Sequence, residues 1–160
     1  MSDKVLQQLA GEIATLKREI AKLKLMEVPA VTVWTGWTPS VTQGVSVTAT
    51  VVFARYAIIQ DTVHLQVSLT ITSGGTGGST IGIGDLPADI ANSDTFSAIG
   101  TAIVRDTGTA TYPALVSGVS ATVIRFISTS STAGNYVGAN PSFALANTDN
   151  IVFTATYEKD

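Results

Sequence analysis

Cysteine is absent from the 160 residues, which excludes disulfides and thiolate metal sites. Charge is scarce: Asp, Glu, Lys and Arg make up 13% of the chain, about half the usual share. With a net charge of −3 there is no basic stripe for phosphates to meet, so nucleic acid is not an expected partner. No apolar run has the length of a membrane-crossing helix, and the first residues lack the apolar segment of a signal peptide, so membrane insertion is not expected. No Asn-X-Ser/Thr acceptor occurs either, which leaves nothing to support a glycosylated, secreted protein.

What fills the chain is Thr, Ser, Val, Ala and Gly, with 45% hydrophobic residues. That mixture suits strands with short polar faces and does not suit disorder. The charges are unevenly placed. Residues 1–27 hold Lys4, Lys17, Arg18, Lys22 and Lys24 against Asp3, Glu12, Glu19 and Glu27. The rest has only Arg55, Arg105, Arg125 and Lys159 against eight acids. Two regions are expected, 1–27 and 28–160.

In the first, "LQQLAGEIATLKREIAKLK" places Leu6, Leu9, Ile13, Leu16, Ile20 and Leu23 at alternating spacings of 3 and 4. This is the heptad pattern of a coiled-coil seam, with Leu6, Ile13 and Ile20 at a and Leu9, Leu16 and Leu23 at d. Glu12 and Glu19 then fall at g, and Lys17 and Lys24 at the following e. Opposite charges at those positions are what parallel, in-register chains present to each other. The alternative is an amphipathic helix packed on its own domain. Ile at a with Leu at d leans towards two strands. Three heptads are marginal alone, so the body must help hold the oligomer. Pro29 biases Val28 away from helical geometry and closes the segment.

After "EVPAV" the period changes to two. Residues 45–53 put Val45, Val47, Ala49, Val51 and Phe53 on one face, and 63–71 do the same with Val63, Leu65, Val67, Leu69 and Ile71. "YAIIQDTVHLQV" reads as a hairpin turning at Gln60-Asp61. Further strands are expected at 96–104, 119–127 and 150–157, with shorter ones at 30–34 and 80–83. The stretches "SGGTGGST", "DLPADIANSD", "RDTGTATYP" and "STSSTAGNYVGANPS" between them read as turns and loops. The fold class is mainly β: a sandwich, jelly roll or barrel of around eight strands.

No catalytic constellation emerges. The single histidine, His64, sits on the polar face of a strand, and no Gly-X-Ser-X-Gly elbow surrounds any serine. Copies of His64 ringing an oligomer axis are a geometric route to a metal, but a metal site is not expected. Asp85, Asp89 and Asp94 share one loop without the spacing of a calcium-binding loop, and read as caps and turns. "SGGTGGSTIGIGD" lacks the Gly-Lys-Ser/Thr of a phosphate loop and reads as a flexible connection. No cofactor is expected. Better candidates for recognition are tyrosines in the expected loops: Tyr112 in "TGTATYPAL", and Tyr136 in "TAGNYVGANP" with Asn135 and Asn140. A Tyr among small polar residues suits carbohydrate or protein surfaces, since it offers a rigid face and a hydroxyl. The alternative is a Tyr plugging the end of the sandwich. Trp34 and Trp37 read as core or inter-subunit anchors.

The order of motifs resembles a bacteriophage module. "WTGWTPSVT" follows a helix, then come "ARYAIIQDTVHLQVSLTIT", a Gly-rich loop, "DLP" and a closing "NTDNIVFTATYE". This is similar to the β-structured head of phage tail-fibre, minor-tail and capsid-fibre proteins, over about residues 32–158. Two details depart from that pattern: Gln60-Asp61 stands where a turn Gly is frequent, and "PSFALAN" lacks the Trp of a common late motif. The resemblance implies a homotrimer rather than a dimer, a parallel coiled-coil stem, and a jelly-roll-like β-sandwich head, with no shared catalytic residues. It implies a virion location and a non-enzymatic surface fibre or spike. A capsid or tail protein would hold the N-terminal segment, and the head would meet a host-surface glycan or protein. Because the stem is already in place at Met1, a complete short fibre is expected. The alternative is a purely structural capsid or tail decoration. A depolymerase is disfavoured, since paired carboxylates are not in evidence.

Overall fold

The 3-4 spacing of residues 6–23 becomes a helix, α1 (Asp3–Leu25), built from residues of high helix propensity such as Leu, Lys, Glu, Gln and Ala. The Ser2 carbonyl accepts from the Val5 and Leu6 amides (2.9 and 3.4 Å), and Asp3 places its charge in the first turn, where the helix dipole favours an anion. The computed structural model describes residues 2–25, 33–91, 97–129 and 135–160. It divides into two units, Met1–Thr32 and Val33–Asp160. The side chains of Leu23 and Lys24, and all of Asp94, lie outside the described residues, as does most of the strand expected at 30–34.

The second unit is one antiparallel sheet. Its strands are β1 (Thr35–Gly36), β2 (Ser40–Gln43), β3 (Val45–Val47), β4 (Ala49–Ile59), β5 (Thr62–Ile71), β6 (Gly82–Gly84), β7 (Ala98–Asp106), β8 (Ala110–Ser120), β9 (Val123–Ser128) and β10 (Asn150–Glu158). Their order is β1-β4-β5-β10-β7-β8-β9-β6-β2-β3. β3 lies at one edge and β4 next to the other, yet Thr48 alone joins them. A flat sheet cannot satisfy that connection, so the sheet curls until its ends approach. The Thr48 carbonyl, at the corner, accepts from the Thr72 and Ser73 amides (2.8 and 3.2 Å).

Curling gives the sheet an inside. β5, β9 and β10 alternate strictly between buried and more exposed residues, as period-two strands with one core face must. Val63, Leu65, Val67, Leu69, Ile71, Phe126, Ile151 and Phe153 fill the interior. Phe126 and Phe153 meet edge-on at 5.6 Å and 61°, an arrangement their ring quadrupoles favour. The β4–β5 hairpin turns at Gln60-Asp61 as expected, with Gln60 at φ 56°. Gly100 is required where β7 presses on β10: a Cβ there would lie 2.0 Å from the Thr154 carbonyl oxygen.

Four expectations need correction. Residues 45–53 are not one strand: the chain turns at Thr48 and a bulge follows between Val51 and Phe53. Val45, Val51 and Phe53 are exposed, not core; Phe53 is so because it follows the bulge, whose extra residue moves it to the other face. The stretch read as a turn around "ATYP" is instead the start of β8, and the strand expected at 119–127 splits at Ala121-Thr122 into the end of β8 and all of β9. Finally, the Gly-rich loop is pinned, not loose. The Gly75 amide donates to Leu145 O, the Thr76 amide to Gln43 O, and the Gly78 amide to Gly138 O (2.8, 2.8 and 3.2 Å).

Candidate functional site

Alternation that fills the inside also decides what the outside shows. Antiparallel pairing sets Phe53, Ser68, Val152, Ile103 and Pro113 side by side across five strands. The adjacent outward row is Arg55, Gln66, Thr154, Thr101, Leu115 and Ile127, continued by Tyr136, which bridges to Ile127. Ile103, Phe53, Val152 and Leu115 are 51, 44, 42 and 37% exposed. Between them lies a shallow depression of about 450 Å³ lined by Thr101, Ile103, Pro113, Leu115, Thr129, Val152 and Thr154.

Each end of this band has an arginine on an aromatic ring. Arg55 donates from Nε and Nη2 to Gln66 Oε1 (2.9 and 2.7 Å). Its guanidinium carbon lies 5.0 Å from the Trp34 ring centre and 5.8 Å from that of Phe53. Arg125 lies 5.5 Å from the Tyr136 ring centre. Each is a cation–π contact. No carboxylate falls within either row.

The two tyrosines expected in recognition loops stand on opposite sides of the sheet. Tyr112 lies in β8 opposite Val104 and so points to the inner side, where it stacks on Phe143 at 4.7 Å and 15°. Its position fits the plugging role. Tyr136 stands on the outer side. Asn135 and Asn140 belong to the same loop as Tyr136: Asn135 O accepts from the Ser128 amide (2.8 Å), and the Asn140 amide donates to Tyr136 O (2.9 Å). Trp37 leans on the core and donates from Nε1 to Asp85 O, whereas Trp34 is exposed.

His64 Nδ1 lies 3.2 Å from Thr156 Oγ1, a hydroxyl and not an orienting carboxylate. Asp85 and Asp89 use their carbonyls within the fold, accepting from Trp37 and from the Asp160 amide respectively. Among the described residues, no three His, Cys, Asp or Glu side chains converge as a metal site would need. In the helix, Leu6, Leu9, Ile13, Leu16 and Ile20 are 46–58% exposed. Among the described residues no ion pair engages Glu12, Lys17 or Glu19.

Two buried polar side chains carry structural weight that sequence patterns did not reveal. Gln43 is fully buried. Its Nε2 donates to Phe143 O (2.7 Å) and Ser79 O (3.3 Å), and its Oε1 accepts from the Leu145 amide (2.8 Å). Asp149, also buried, accepts from the Thr107 and Ala146 amides (both 2.8 Å). The one available signal for Gln43 was a polar residue two places after the inward Val41, next to Gly44.

Tyr157 is buried on β10 and donates from its hydroxyl to Ala88 O (3.0 Å). Burial pushes its pKa up from 10.0 to about 12. Because the folded value is above the unfolded one, the neutral ring's contribution is complete below pH ~10 and is lost as pH rises towards ~12. Denaturant titrations should therefore show stability falling by roughly 2–3 kcal/mol across that window. Tyr157→Phe should flatten the fall while costing about 1 kcal/mol at neutral pH.

No family model, no curated protein and no solved structure matches the chain.

Proposed function

We propose that this chain is a non-enzymatic fibre or spike protein of a bacteriophage surface, trimeric, with a parallel coiled-coil stem and a jelly-roll-like head that contacts host-surface glycan or protein. The observation that carries this reading is the apolar 3-4 stripe of α1, exposed at Leu6, Leu9, Ile13, Leu16 and Ile20, with no ion pair engaging Glu12, Lys17 or Glu19 among the described residues. An apolar stripe of five Leu and Ile residues in water is costly, and identical parallel chains offer the matching stripe. Support for a jelly-roll-like head comes from the crossovers that place β10 between β5 and β7, and β6 between β9 and β2. Joining three weak sites at fixed spacing raises avidity well beyond that of one.

Competition is the direct test. Purified oligomer should bind host cells and block particle adsorption, and particles lacking the protein should adsorb poorly. Normal adsorption of such particles, with no binding by the oligomer, would overturn host contact and leave decoration of the capsid or tail.

A further inference from the structure

We propose that the outer band around Val152 and Ile103 is where the heads of identical chains pack on one another; this rests on the oligomeric reading of α1. The band is uncharged and aliphatic at its centre, with Val152, Ile103, Pro113 and Leu115 contiguous over β10, β7 and β8. Its arginines and exposed aromatics stand at the two ends. That is the anatomy of a protein interface, apolar in the middle with Arg and aromatic side chains as anchors. A saccharide platform would need the reverse, rings and hydrogen-bonding groups at the centre.

The occupant is a second copy for two reasons. First, a seam of three heptads is marginal alone, so an oligomer built on α1 needs further apolar surface, and the head exposes it here. Second, only residues 26–32 separate the helix from the head. Chains joined through α1 therefore hold their heads at an effective concentration on the order of millimolar. With no carboxylate and no lysine in either row, identical bands can approach without like charges at their centres.

The absence of native cysteine makes thiol labelling a clean probe of the full-length chain. Ile103→Cys and Val152→Cys report the band, and Leu9→Cys reports the seam. Val45→Cys is the control, because Val45 on the edge strand β3 is 51% exposed, the same as Ile103. Followed at concentrations where sedimentation shows an oligomer, both band thiols should label at least about tenfold more slowly than the control, since they react mainly from the dissociated fraction. Dilution into the monomer range should restore the rate. Labelling at the control rate at every concentration overturns the proposal. If Leu9→Cys is protected under those conditions, the coil stands and only the head interface falls; if neither is protected, both fall. Protection that persists in the monomer, or that appears only when host polysaccharide is added, also overturns it, the latter in favour of a glycan.

Discussion

Gln43→Ala should lower the stability of the head by about 3–5 kcal/mol in urea titrations at fixed protein concentration. The wild-type carboxamide ties two distant segments to β2: the Gly-rich loop at Ser79, and the 143–145 stretch through Phe143 O and the Leu145 amide. Truncation removes these bonds together and leaves two carbonyls and an amide without their partner in a site from which water is excluded. Each such group costs roughly 1–3 kcal/mol. Gly75 and Gly138 leave no room for compensation, because a Cβ at either would fall 2.1 Å from Gln43 Oε1 or 2.8 Å from Nε2; the backbone is built around this amide. Gln43→Glu keeps the shape and separates chemistry from volume. Ionised, it would turn an oxygen towards the two carbonyls that Nε2 now serves, so its folded-state pKa is raised. The variant should be least impaired at low pH and lose stability as pH rises above ~4. A cost under about 1 kcal/mol for Gln43→Ala would show that the loop is held by its backbone bonds alone.

Gln43 also marks where sequence reasoning stops. A period of two is local, so the inward face of residues 63–71 and the strand at 150–157 were legible, as was the Gln60-Asp61 hairpin. The helix α1 was legible for the same reason, from its 3-4 apolar spacing. β8 was hidden because its first half, Ala110–Pro113, is made of residues that also make turns, and pairing with β7 and β9 decides the matter. Phe53 was assigned to the core because a one-residue bulge leaves no trace in composition; it inverts every later position and brings Phe53 into the outer row instead. The Gly-rich loop looked flexible because its anchors, Gln43, Gly138 and Leu145, come from far along the chain. The outer band is invisible for a related reason. Val152, Ile103 and Pro113 become neighbours only through the strand order β10-β7-β8, which no single stretch encodes.

The second large effect is expected in α1: on the proposed coiled-coil assembly, Ile13→Asp should convert the oligomer to monomers of 16.6 kDa while leaving the head folded. Ile13 is the middle of the three a residues. In a parallel bundle every copy brings it to the same layer, so the substitution buries one carboxylate per chain in an apolar seam, facing its own kind. Neither desolvation nor like-charge contact is compensated there, and the apolar layers on either side are too few to hold alone. The head has its own core, so its β-sheet circular dichroism should persist, and loss of that signal would mean that the substitution reports on something other than assembly. Charge reversal distinguishes a parallel seam from a merely sticky one. Glu12→Lys with Glu19→Lys should weaken association, and adding Lys17→Glu with Lys24→Glu should restore it, because g and following-e charges would again be opposite. Recovery without restored charge pairing would sink the parallel register. Sedimentation of the unaltered chain then decides stoichiometry, with a trimer at three times 16.6 kDa and a dimer at twice that mass. A dimer would mean that the Ile/Leu preference of the seam governs assembly; a trimer would mean that the heads override it, as packing through the Val152–Ile103 band requires them to contribute.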